Sequence, residues 1–113
     1  MAGNAVSKKS NSIKVEIEII LFKEDDSWIA YCPSLELTSY GDTQSDARAA
    51  FDEEMKIFIS ETNRKGTLER YLLRNGWTLQ QKPKPIYHQP DFTIKEKYKN
   101  PTIYKEKVAI PFA

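Results

Sequence analysis

One cysteine, one histidine and four glycines in 113 residues leave this chain short of several kinds of chemistry. The lone Cys32 excludes an internal disulfide and a cysteine-based zinc site, and it reads as a small buried hydrophobe. The single His88 sits among prolines, where no Ser/His/Asp or Cys/His set can be assembled around it. With so few glycines there is no GxGxxG and no phosphate-cradling loop. No apolar run approaches the ~20 residues of a membrane span. The longest, Ile19 to Phe22, ends in Lys23-Glu24-Asp25-Asp26. The opening "MAGNAVSKKSNS" has basic residues without the apolar stretch of a signal peptide, so residues 1–12 read as a disordered leader and the protein as cytoplasmic.

Charge is present in quantity but nearly cancels, at +1 overall. Its distribution is uneven. Residues 1–63 hold 6 Lys/Arg against 12 Asp/Glu, whereas residues 64–113 hold 11 against 4. Halves of opposite sign imply either two surfaces with different partners or two halves whose charges intermingle on folding.

The segment "IKVEIEIILF" alternates, with Ile13, Val15, Ile17, Ile19 and Leu21 on one side and Lys14, Glu16 and Glu18 on the other. That period of two predicts a strand with one buried face. Ile20 and Phe22 break the polar side, so the far end is either covered on both faces or open to a partner. "KEDDS" is a polar hairpin loop, "WIAYC" a returning strand closed by Pro33, and "SLELTSY" a third strand with Leu35 and Leu37 on one side. Gly41 permits a positive φ at the next turn, and Asp42 or Thr43 can cap a helix running from about Gln44 to Arg64. Its expected core stripe is Ala47, Phe51, Met55 or Glu54, Phe58 and Thr62, widened by Ala50 and Ile57. Asp46, Asp52, Glu53 and Glu61 fall on the water side. Gly66 stops this helix, Thr67 caps a short second one ("LERYLLRN") that ends at Gly76, and "WTLQQK" predicts a fourth strand. "PKPIYHQPDF" reads as extended linker. The lysine-rich remainder can add a strand to the sheet, swap between subunits, or order on a partner. The fold class expected is therefore α+β: an antiparallel β-meander, a helix and a further strand (β-β-β-α-α-β), with residues 13–81 as the domain and 82–113 as linker, possible C-terminal strand and extended tail.

Residues 27–59, "SWIAYCPSLELTSYGDTQSDARAAFDEEMKIFI", resemble the HicB antitoxin family. Trp28, Ala30, Pro33, Leu35, Gly41, Asp42, Thr43, Ala47 and Phe51 carry the likeness: an aromatic strand ending in Pro, a short turn with Leu, a strand, Gly-Asp-Thr, and a helix with an early Ala. With the flanking strands it extends over about residues 13–80. Many members have a Pro-Gly-Cys-like turn where this chain has Glu36-Leu37-Thr38, one residue shorter. The resemblance implies a partial RNase H-like fold and a role in binding and masking a small, basic, RNA-cleaving toxin of the HicA type. Members often add a C-terminal DNA-binding module; none is recognisable here, which leaves DNA binding without a known vehicle.

No catalytic constellation competes with this reading. Glu16 and Glu18 share a strand face, but Asp52, Glu53 and Glu54 are consecutive and fan around a helix, so only part of that run can face one Mg²⁺ site, and solvated helix charge is the better reading. The expectation is a protein without enzymatic activity or cofactor. Glu24, Asp25, Asp26, Asp42, Asp46 and Glu53 would face the basic toxin, in a homodimer or higher oligomer formed through strand edges. The alternative is a binding module of the same fold that contacts nucleic acid through Lys95, Lys97, Lys99, Lys105 and Lys107, interleaved with Phe92, Tyr98 and Tyr104. A third reading, RNA cleavage by His88, has the weakest basis.

Overall fold

The computed structural model describes residues 12–91, 98 and 100–111. The expected leader lies outside the described residues except for Ser12, which opens the first strand. In chain order the elements are β1 (Ser12–Glu24), β2 (Ser27–Cys32), β3 (Leu37–Gly41), α1 (Gln44–Lys65), α2 (Leu68–Arg74), β4 (Thr78–Gln80), β5 (Ile86–His88) and β6 (Thr102–Pro111). The fold is α+β. Strands β3-β2-β1-β6 form an antiparallel sheet, and β4 and β5 form a separate hairpin.

The alternation of β1 becomes burial directly. Val15, Ile17, Ile19 and Leu21 face α1 and join Ala30, Cys32, Ala47, Phe51 and Met55 in one core. Lys14 and Glu16 are exposed on the other face. At the far end of β1 both faces are covered: Ile20 and Ile29 are buried outside that core, and the Phe22 ring lies 4.7 Å from the Tyr98 ring. The C-terminal segment adds a strand, the first of the three alternatives. β6 pairs with β1 from Ser12↔Pro111 to Leu21↔Thr102 and places Val108 and Ile110 in the core.

Helix α1 begins as its cap requires. The Asp46 N–H donates to Thr43 Oγ1 at 3.0 Å, and the chain leaves the helix through Gly66 at φ 71, the left-handed residue that frees Thr67 N–H to reach Thr62 O at 2.8 Å. Ala47, Phe51 and Met55 are buried as the stripe predicts, but Ile57 is 50% exposed and Ile59 takes the place expected for it. Gly41 also differs from expectation. It is absent from the residues with positive φ; what it supplies is closeness. A Cβ there would lie 2.7 Å from the Asp46 carbonyl carbon and closer still to the Ala47 nitrogen.

The third strand is shorter than "SLELTSY" suggests. Ser34 and Leu35 lie in the turn before it and are fully buried. Their carbonyl oxygens accept from distant side chains: Trp77 Nε1–H donates to Ser34 O, and Tyr71 O–H to Leu35 O, both at 2.6 Å. Trp77, expected in the fourth strand, precedes β4 and packs edge-on against Tyr87 with ring centroids 6.2 Å apart. The stretch expected to be linker thus contains β5, and β4 pairs with β5 rather than with the main sheet.

Two substitutions test this account. Gly41→Ala is expected to cost about 1–3 kcal/mol by forcing β3 and α1 apart. Trp77→Phe is expected to cost at least about 1–3 kcal/mol, because the Ser34 carbonyl stays buried without a donor. Urea unfolding measures both; an unchanged midpoint for either variant refutes the corresponding contact.

Candidate functional site

The β1–β2 hairpin turns through two residues, Asp25 and Asp26, with Glu24 paired to Ser27. Asp25 adopts φ 56, a conformation that Asp tolerates better than most residues. One residue further along, Trp28 pairs with Gly41, so the turn leading into α1 lies beside the hairpin tip. Register alone therefore gathers Glu24, Asp25, Asp26 and Asp42 at one end of the sheet, together with Asp46 in the first turn of α1; all five are exposed. Glu53 is exposed too, but it lies about 10 Å further along the helix axis and outside the group.

This acidic end borders a groove of about 560 Å³ on the sheet face opposite α1. Its floor is apolar and aromatic, formed by Phe22, Ile29, Tyr31, Tyr40 and Tyr98, with Glu24 and Asp25 at the rim. Tyr31 O–H donates to Glu36 Oε2 at 2.8 Å. Burial, then the hydrogen bond to Glu36 and its charge, push the Tyr31 phenol far above its ordinary value, so it remains a donor. Tyr40 is 63% exposed. The groove is missing from the sequence expectations, although Ile29, Tyr31, Thr38 and Tyr40 carry its signal. They alternate opposite to Ala30, Cys32 and Ser39, which marks β2 and β3 as apolar on both faces.

Lys95, Lys97 and Lys99 lie outside the described residues. Lys105 and Lys107 are exposed on β6, directly opposite Glu18 and Glu16 on β1. Opposite charges at facing positions stabilise an antiparallel pair and reduce the field available to a phosphate backbone. His88 is exposed on β5, 3.4 Å from Gln80 Oε1. Cys32 is buried beside Ser34 Oγ at 3.4 Å, and burial pushes its thiol up. Among the described residues no group of three or more His, Cys, Asp or Glu could hold a metal ion, and no helix is long and apolar enough to cross a membrane.

A second cluster corrects the expectation that Asp52 lies on the water side. Asp52 is half-buried on α1 against Glu106 of β6. Burial, then the hydrogen bond and like charge of Asp52, push the Glu106 carboxyl up to about 7, with Arg48 partly opposing. Asp52 Oδ1 and Glu106 Oε1 are buried without hydrogen-bond partners, and a proton on Glu106 relieves the like charge between the two carboxyl groups. The Arg48 guanidinium covers the Tyr104 ring at 4.0 Å. Lys56 and Lys107 line the adjoining groove.

Comparison of the chain with models of known protein families, with curated proteins and with solved structures gave no match.

The carboxyl pair makes stability depend on pH. Glu106 titrates near 7 in the folded protein against 4.5 as its ordinary value, so the folded state binds that proton more tightly. Its contribution is present below about pH 4.5 and is lost as pH rises through about 7. Glu106→Gln, which keeps a donor for Asp52, is expected to flatten this slope and to melt above wild type at about pH 8. Thermal melts of both proteins across this range check it; parallel curves refute the raised titration of Glu106.

Proposed function

We propose that this protein is a HicB-like antitoxin of a HicA/HicB-type system: a binding protein, not an enzyme, that works in the cytoplasm by masking a small, basic, RNA-cleaving toxin on a partial RNase H-like platform. The observation that carries the reading is the gathering of Glu24, Asp25, Asp26, Asp42 and Asp46 at one end of the sheet. An RNA-cleaving protein needs a positive surface to hold its substrate, and an acidic surface of matching extent competes with RNA for it. The sheet and α1 make that surface rigid, which lowers the ordering cost of binding. The nucleic-acid alternative has less support, because Lys105 and Lys107 face Glu18 and Glu16 across the β1–β6 ladder.

The test is co-expression with the product of the adjacent reading frame. A small basic protein that is toxic alone and co-purifies with this chain is the expected outcome. Asp25→Asn, Asp26→Asn and Asp42→Asn together are expected to weaken the complex at least about tenfold at low salt, with a smaller difference in high salt. A toxic basic neighbour that this chain does not bind overturns the reading.

A further inference from the structure

The two edges of the main sheet are built differently. β6 carries Lys105, Glu106, Lys107 and Pro111, the charges and proline by which an edge strand resists pairing with another chain. β3, at the opposite edge, reads Leu37-Thr38-Ser39-Tyr40-Gly41, with no charge and no proline. Among the described strands only β2 pairs with it. An edge that no second described strand pairs is a template for an added strand.

The edge is framed by acids. Glu36 precedes it and Asp42 follows it, both exposed. Glu36 is held in place by φ 55 and by the Tyr31 hydroxyl. This frame acts against a second copy of the chain. Antiparallel self-pairing that uses all five residues centres on Ser39 and sets Glu36 opposite Asp42 at both ends. A slip of one residue would put the outer-face Tyr40 on the wrong side. The same acids oppose a phosphate backbone.

We propose that β3 is a docking edge for an extended protein segment with Lys or Arg at both ends and uncharged residues between, which joins the sheet as an antiparallel strand beside β3. Backbone pairing supplies the affinity, and Glu36 and Asp42 select the charge at the two ends. Tyr40 offers its ring to the middle of the incoming strand or to a guanidinium. The proposal rests on the antitoxin reading only in taking the toxin as the source of the segment.

The test uses the full chain and synthetic peptides, so it does not depend on the toxin. A capped Lys-Thr-Val-Thr-Val-Thr-Arg peptide is titrated into isotope-labelled protein at low salt, beside the same peptide with Glu at both ends. Amide shifts at Leu37–Gly41 with the basic-ended peptide are expected, with binding at least about tenfold weaker for the acidic-ended one. Glu36→Lys with Asp42→Lys is expected to reverse the preference, and the spectrum of the free variant checks its fold. Equal binding of the two peptides, shifts on β6, no binding of the basic-ended peptide, or an unreversed preference in the folded variant each overturn the proposal. So does a wild-type dimer with protected β3 amides. If the neighbouring toxin binds and the peptides do not, the docking edge fails while the antitoxin reading stands.

Discussion

Two buried carbonyl oxygens tie this fold together. The turn between β2 and β3 folds inward and buries Ser34 and Leu35, where water cannot satisfy their backbone acceptors. The donors come from α2, through Tyr71, and from the third residue beyond it, Trp77. Without those two side chains the meander would have to open this turn to solvent. It would then lose the position of Glu36 and the start of β3. The turn that leads into β3 thus depends on an indole and a phenol supplied from some 36 to 43 residues further along the chain.

Much of this architecture could be read locally. β1 alternates, Thr43 stands three residues before Asp46, and Gly66 follows a long helical pattern; each signal lies within one element. What stayed hidden depends on pairs far apart in the chain. The place of β6 could not be read from its own pattern, because Tyr104 and Glu106 share the inner face with Val108 and Ile110 and blur the apolar stripe. The burial of Asp52 follows from where β6 runs, not from the helix wheel. Within "PKPIYHQP" the three-residue strand stayed hidden behind three prolines, because it needs only one neighbour, β4.

The acidic end and the aromatic groove were unequally legible. Acidic composition announces itself in any count, and the hairpin and Gly-Asp-Thr turns hinted that the charges would meet. The groove is an arrangement across three strands, and only the register, Phe22↔Ile29 and Ile29↔Tyr40, brings those side chains onto one surface. Gly41 shows a related distinction. Its value lies in the missing Cβ beside Ala47 rather than in an unusual dihedral, and only the packing of α1 on β3 separates the two roles.

The pairing of β6 with β1 has a consequence for how the chain reaches this structure. β1 is the first strand and sits in the interior of the sheet, yet one of its two neighbours is the last strand in the sequence. The hairpins and α1 form from nearby contacts, whereas the β1–β6 ladder closes a loop that spans most of the chain, the slow kind of step in folding. Until it closes, the open side of β1 is an unpaired edge studded with Lys14, Glu16 and Glu18. Those charges discourage a wrong strand from binding there during the interval. Glu16 and Glu18, which finally face Lys107 and Lys105, thus guard the vacancy before they help to fill it.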